Sequence, residues 1–372
     1  MPAPSLPRRL LLGPGPSNVH PRVLAAMAQP LLGHLDPAFL VILDRVQASL
    51  GELFGVHEGL TLPIPTTGSG GMEACFANLL EPGDPIVVGV AGVFGTRMCD
   101  VAQRMGAQVS RVDCQWGSPL QAEELAAKIE EIRPRVVAFV HAETSTGVHQ
   151  PVEAITRAAR GVDALVVLDC VTSLGGLPVH LEDWGVDAAY SGTQKCLSCP
   201  PGLSPIHFSP RALERVRARE RPVQNWYLDV GLLAGYFGEE RVYHHTAPIS
   251  AIFGLAEALE MIAEEGMPQR ILRHQEASRS LLDGMTALGF TPLVAADHRL
   301  PMLNALEIPD VIRESTGGES GFRRRLLEKH GVEVGGGLGP LAGRIWRVGL
   351  MGENARLPSV ETLLSVLRQE LD

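Results

Sequence analysis

The chain has 372 residues, of which 45% are hydrophobic, and a formal net charge of −10. That length can bury a substantial core and divide into two domains. The acidic balance, without any basic block interleaved with aromatics, excludes a nucleic-acid partner, and no apolar run approaches the roughly 18 residues of a membrane span.

The N-terminal run Leu10-Leu11-Leu12 is broken by Gly13-Pro14 and is too short for a signal-peptide core, so the expected location is the cytoplasm. Apolar, β-branched strand runs then fall at 61–67, 86–90, 109–112, 136–141, 165–169 and 188–191. Helix-length stretches separate them at 72–80, 96–105, 121–132 and 152–159. Strands alternating with helices of this length predict βαβ units, hence an α/β fold with a mainly parallel sheet flanked by helices. Ligands in such folds sit beyond the carboxyl ends of the strands, which draws Thr67-Gly68, Phe94, Thr144 and Asp169 around one crevice. Past Pro248 the pattern changes to long helices at 250–265 and 268–288, strands at 304–308, 332–334 and 345–349, and helices at 321–330 and 359–371. The expected organisation is an N-terminal arm (1–20), a large domain (21–263) and a smaller α+β C-terminal domain (264–372), tightly packed because no flexible linker intervenes.

Only three of the 32 basic residues are lysines. Lys128 lies among glutamates and Lys329 follows three arginines, so both read as solvated charges. Lys195 is the one permanently charged side chain between Ala188 and Pro210. A lone amine in an apolar stretch is either an exposed turn residue or a desolvated nucleophile of depressed pKa. Gly68-Ser69-Gly70-Gly71 follows a strand and opens a helix at Met72, which makes either a plain tight turn or an anion site at a helix N-terminus. Asp169 closes an apolar run, as a loop-fixing carboxylate or as the partner of a cation. Together these are the needs of pyridoxal phosphate. Cys196-x-x-Cys199 has redox or zinc spacing, but no second pair completes a metal site; its position beside Lys195 marks it as oxidation-sensitive. His244 and His245, adjacent in an extended segment, point to opposite faces and predict no metal.

Ser191-Gly192-Thr193-Gln194-Lys195 with Pro200-Pro201-Gly202, and Leu168-Asp169-Cys170-Val171-Thr172-Ser173-Leu174-Gly175-Gly176, resemble the class V aminotransferases of pyridoxal-phosphate fold type I, in the alanine–glyoxylate and serine–pyruvate branch. Leu12-Gly13-Pro14-Gly15-Pro16-Ser17-Asn18, Gly92-Val93-Phe94-Gly95, Glu143-Thr144-Ser145-Thr146-Gly147, Tyr243-His244-His245-Thr246, Gly336-Gly337-Leu338-Gly339-Pro340 and Arg347-Val348-Gly349-Leu350 extend the likeness over nearly the whole chain.

The resemblance implies the cofactor pyridoxal 5′-phosphate, held through its aldehyde by Lys195, which also shuttles a proton. It implies that Asp169 keeps the pyridine nitrogen protonated and that Phe94 stacks on the ring where the branch often has tryptophan. Ser69, Gly70, Gly71 and Gln194 receive the phosphate; relatives can carry histidine in place of Gly71, which suggests more space beside the cofactor. Thr144 reaches the ring hydroxyl, and Tyr243 and Thr246 come from the neighbouring subunit of a homodimer with shared active sites. Arg347 grips a substrate carboxylate, with Gly15 lining the same pocket. The expected reaction moves an amino group from alanine or serine to a small 2-oxo acid, glyoxylate or pyruvate, by a ping-pong mechanism. The segment Gly33-His34-Leu35-Asp36, near the expected pocket, departs from relatives. The alternatives are a pyridoxamine-using transaminase or a lyase of the same fold type, and, from another class, a nicotinamide-dependent oxidoreductase. A desulfurase lyase would need a cysteine in the second domain, and none follows Cys199.

Overall fold

The computed structural model describes residues 6–238 and 240–371. Its larger sheet has seven strands in the order Leu60–Ile64, Ser204–Phe208, Ala188–Tyr190, Leu165–Asp169, Val136–Val140, Pro85–Val90 and Gln108–Asp113. Ser204–Phe208 runs antiparallel to both its neighbours; the other paired strands run parallel. All five residues of Val136–Val140 and of Leu165–Asp169 are buried, as expected of parallel strands covered on both faces. The helices Gly68–Leu79, Val93–Arg104, Ala122–Ile132 and Glu153–Gly161 alternate with the strands, and their apolar faces share one core with the sheet.

The antiparallel strand was not foreseen, because a proline inside a short run argues against a strand. Here Pro205 stands opposite Pro63 and its carbonyl accepts the Ser191 N–H at 2.7 Å. Its register partners on Ala188–Tyr190 begin only at Ile206, so the missing N–H interrupts no ladder bond.

A second sheet, of five strands, runs Leu10–Leu12, Val332–Gly336, Ile345–Gly349, Leu303–Glu307 and Thr291–Pro292. The segment read as an N-terminal arm therefore contributes a strand to this sheet, paired parallel with Val332–Val334. The core of this part is distinct: Phe290 and Phe322 lie against Trp346, with ring centroids 5.2 and 5.8 Å away. Strand alternation sends Trp346 into that core and Arg347 to the other face.

The two sheets are tied beside Lys195. Arg270, from the helix Met267–Ala287, donates to the carbonyls of Gly175 (2.8 Å) and Cys196 (2.6 Å) and pairs with Glu265 at 2.8 Å. Breaking a buried, fully bonded guanidinium of this kind leaves its partners unpaired, at a cost of about 3–5 kcal/mol. Among the described residues no helix is long and apolar enough to cross a membrane.

Candidate active site

Lys195 follows the strand Ala188–Tyr190 and lines a cavity of about 210 Å³ at the carboxyl ends of the parallel strands. Burial lowers its amine from 10.5 to about 8, because charge is costly away from water. Its Nζ donates to the Pro14 carbonyl. The segment above it is pinned: Ser17 donates its N–H to the Gln194 carbonyl and its hydroxyl to the Lys195 carbonyl, both at 2.9 Å. Gly15, at φ 108°, has to be glycine, since a Cβ would stand 2.6 Å from Lys195 Nζ. By contrast, Lys128 pairs with Glu131 at 2.6 Å and Lys329 is 61% exposed, as solvated surface lysines are.

Asp169 lies on the same cavity and is only 3% exposed. Its Oδ1 accepts the Val171 N–H at 2.8 Å and its Oδ2 the Tyr190 hydroxyl at 2.7 Å. Burial nevertheless pushes the carboxyl up to about 7. A carboxylate so desolvated is stabilised by a cation delivered into the cavity.

At the opposite end the helix begins at Gly68, not Met72, with Thr67 as its N-cap. The glycines form its first turn because neighbouring groups leave no room for side chains. A Cβ on Gly70 would meet Thr66 Oγ1 at 1.9 Å, and one on Gly71 would meet Ser204 Oγ at 2.2 Å. The suggestion of extra space at Gly71 is therefore wrong: that direction is filled by the antiparallel strand, and a histidine would not fit. Thr67 makes no side-chain cap bond, but its carbonyl accepts the Gly70 and Gly71 N–H groups at 2.8 and 3.1 Å. The backbone donors left for an anion are those of Gly68 and Ser69, which line the cavity as Gly70 and Gly71 do not.

Phe94 and Thr144 complete the walls. The helix that carries Phe94 is capped from another strand end: Val93 N–H donates to Ser145 Oγ (2.9 Å) and Phe94 N–H to Glu143 Oε2 (3.2 Å). Glu143, also bonded by Ser145 through its N–H (3.0 Å) and hydroxyl (2.6 Å), is buried, and burial raises its carboxyl. Gln194 lines the cavity with a buried Oε1 that has no hydrogen-bond partner. A desolvated amine, a desolvated carboxylate, an aromatic face and a helix terminus with free N–H groups fit a phosphorylated, cationic, aldehyde-bearing ring such as pyridoxal phosphate.

Arg347 is held beside this cavity. Its Nε donates to Gly336 O at 2.8 Å and Nη1 to Thr144 O at 3.3 Å, and burial lowers it to about 10. Tyr243 and Thr246 are not brought to the cavity of their own chain; Tyr243 is 58% exposed and its hydroxyl lies 3.5 Å from Thr246 Oγ1. The segment 33–36 does not line it either. Asp36 instead caps the helix Pro37–Phe54, accepting the Ala38 N–H at 2.8 Å, while the His34 ring rests 5.2 Å from that of Tyr243.

Two further expectations are corrected. The rings of His244 and His245 do not point apart: their Nδ1 atoms meet at 2.8 Å, in a segment that forms no regular strand and where His244 stacks on Trp226 at 4.3 Å. Cys196 and Cys199 are no oxidation-sensitive pair. Both are buried, their thiols donate to the carbonyls of Thr172 and Gly254, and burial pushes them up to about 11 and about 12.

Sequence reasoning missed Tyr190 and Arg97. Tyr190 had a signal, as a phenol in an otherwise apolar strand. Arg97 had a fainter one, its i, i+3 spacing from Phe94.

The family model described as "Aminotransferase class-V" matches residues 10–317. The chain is 38% identical to the alanine–glyoxylate aminotransferase of Drosophila melanogaster, covering 98% of this chain and 93% of that protein. It is 36% identical to the (S)-ureidoglycine–glyoxylate transaminase of Bacillus subtilis, covering 98% and 91%. The crystal structure of an alanine–glyoxylate aminotransferase from Nostoc sp. superposes with a TM-score of 0.97 at 47% identity, covering 100% of this chain and 97% of that one. The sheet order, the cavity at its carboxyl edge and these similarities agree, and the chain belongs to the class-V aminotransferase family.

Proposed function

We propose that this transaminase uses pyridoxal 5′-phosphate to move the amino group of alanine or serine to glyoxylate or pyruvate in two half-reactions. The observation that carries the reading is the meeting of Lys195 and Asp169, both desolvated, in one cavity whose far end is a helix N-terminus. Glyoxylate, named for each of the three relatives above, is the acceptor we favour.

When bound, the cofactor supplies a carbonyl for the amino group and a ring that draws off the electron pair left at the donor's Cα. Lys195 is the residue we assign to hold it, and with an amine near pH 8 it is suited to take and return the Cα proton. Asp169 is suited to hold a proton on the ring nitrogen, since a cation there relieves its own burial. Phe94 offers a stacking face, Thr144 a hydroxyl for the ring oxygen, and Ser69 and Gln194 donors for the phosphate, with the free backbone N–H groups of Gly68 and Ser69 beside them and Gly70 and Gly71 shaping the turn. Arg347, immobilised by two carbonyls, presents its fork to the substrate carboxylate, and Gly15, on the substrate side, leaves room for the Lys195 side chain to move.

We further propose a homodimer in which Tyr243 and Thr246 of the partner subunit complete each site. The exposed Trp226, Leu232, Val242 and Tyr243 support it, as large apolar side chains that a monomer would leave in water. A fully active protein that sediments as a monomer would remove this part. A division into a large and a small domain near residue 264 is supported by the separate cores, with the segment read as an arm packed into the smaller one through Leu10 and Leu12, and a cytoplasmic location by the six free cysteines.

The visible spectrum of the purified protein tests the reading. Bound pyridoxal phosphate gives a yellow band that bleaches to the near ultraviolet when L-alanine or L-serine is added and returns with glyoxylate. The faster donor names the substrate, and (S)-ureidoglycine belongs among the donors tried because one relative is named for it. No band after incubation with pyridoxal phosphate would sink the proposal.

A further inference from the structure

The phosphate end of the cavity poses a problem of charge. A phosphate monoester carries close to two negative charges at neutral pH, whereas a helix N-terminus contributes only about half a positive charge. Ser69 and Gln194 are neutral, and Gly71 adds no side chain. Asp169 is itself acidic. Among the residues that line the cavity, only Lys195 and Arg97 are basic. Lys195 sits beneath Pro14 and Gly15, and its amine is committed to the reacting end.

Arg97 is built toward the other end. It lies three residues after Phe94 on the helix Val93–Arg104, so the two side chains share a face. Its Cζ stands 5.0 Å from the centroid of the Phe94 ring, within cation–π range, and its Nη1 donates to Ser69 Oγ at 3.2 Å. The guanidinium thus bridges the first turns of two helices, touching both the ring proposed to stack on the cofactor and the hydroxyl proposed to bind its phosphate. No carboxylate pairs with Arg97 among the described ion pairs, so its charge is not already neutralised.

We infer that Arg97 is the phosphate-binding cation of this site, a cofactor-specificity residue that selects the phosphorylated form of the cofactor over the free aldehyde. The inference rests on the pyridoxal phosphate reading above. A fork donating to Ser69 keeps further N–H groups free for phosphate oxygens, and the Phe94 face holds the guanidinium in position before the anion arrives.

The test measures the affinity of apo-protein for pyridoxal phosphate and, separately, for pyridoxal, which lacks the phosphate. Arg97→Met keeps an apolar chain against Phe94 and removes the charge. It should weaken pyridoxal phosphate binding by roughly tenfold or more, the scale of a hydrogen bond to a charged group, and leave pyridoxal binding unchanged. Arg97→Lys, which restores charge without the fork, should recover part of the loss. Equal weakening of both ligands would assign Arg97 to packing on Phe94 and overturn the inference, as would unchanged pyridoxal phosphate affinity. If the wild-type protein takes up no pyridoxal phosphate, both this inference and the parent reading fall; if wild type binds it and Arg97→Met binds it equally well, only this one falls.

Discussion

Tyr190 donates its hydroxyl to Asp169 Oδ2 at 2.7 Å across adjacent parallel strands, where the two residues stand in register. The phenol satisfies one oxygen of a carboxylate that burial holds near pH 7 instead of 3.8. It also tempers the basicity of that carboxylate, since a donor to the ionised form favours it.

The first prediction concerns the empty protein. A carboxyl whose folded pKa is raised lends stability below its unfolded pKa and loses it as pH rises through the folded value. Between about pH 4 and pH 7 the wild type should therefore lose melting temperature relative to Asp169→Asn, by an amount on the order of 4 kcal/mol at most. Tyr190→Phe, which removes a donor to the charged form, should move that loss to higher pH. Pyridoxal phosphate should restore the wild type and not Asp169→Asn. A gap between wild type and Asp169→Asn that ignores pH would mean that Asp169 titrates as an ordinary surface carboxyl.

Lys195 makes a kinetic prediction. Only the neutral amine attacks a carbonyl, and burial sets its folded value at about 8. The rate at which apo-protein develops a visible band on mixing with pyridoxal phosphate should climb with pH and level off above about 8. A rise that continues toward 10.5 would assign the amine an ordinary environment. Lys195→Ala should give no such band and no turnover.

Asp169 and Lys195 were legible in the sequence because each is an isolated charge beside an apolar run, and burial makes such charges expensive. The parallel sheet was legible for a related reason, since strands buried on both faces read as unbroken Val, Leu and Ala. What could not be read were relationships across the sheet. That Gly71 faces Ser204 depends on an antiparallel strand whose Pro205 hid it. That Arg97 reaches Ser69 depends on two helix termini meeting, which no local pattern encodes. The helix Pro37–Phe54 had clear local signals, Asp36 as N-cap, Pro37 at the first position and Gly55 at φ 65° after the end, but they lay in a segment read for its pocket.

Arg347 yields a prediction that separates binding from chemistry. Its Nε and Nη1 are spent on Gly336 and Thr144, leaving the remaining N–H groups as a fixed fork. Arg347→Lys keeps the charge and loses the planar fork, so KM for both amino donor and 2-oxo acid should rise roughly tenfold or more. The cofactor spectrum should not change. A variant with unaltered KM and lowered kcat would place the substrate carboxylate elsewhere.

His274 governs the acid limit of the fold. It is fully buried, lies 2.7 Å through Nδ1 from the Arg270 carbonyl and accepts the Gly352 N–H at Nε2 from 3.0 Å. That pair of bonds requires the neutral ring with its proton on Nδ1, and burial lowers the ring to about 3. A histidine with a depressed folded pKa lends stability that is complete above its unfolded value, near 6.5, and is lost as pH falls toward the folded one. The melting temperature should therefore drop steeply below about pH 6, with His141 (about 3) and His207 (about 4) adding to the slope by the same mechanism. His274→Gln cannot titrate, so it should melt lower at neutral pH, where a cap on Gly352 is weakened, yet show a slope shallower by the equivalent of one proton. Parallel pH profiles for wild type and variant would mean that His274 is protonated in the native state, and with two donors facing it the bond from Gly352 would then have to break.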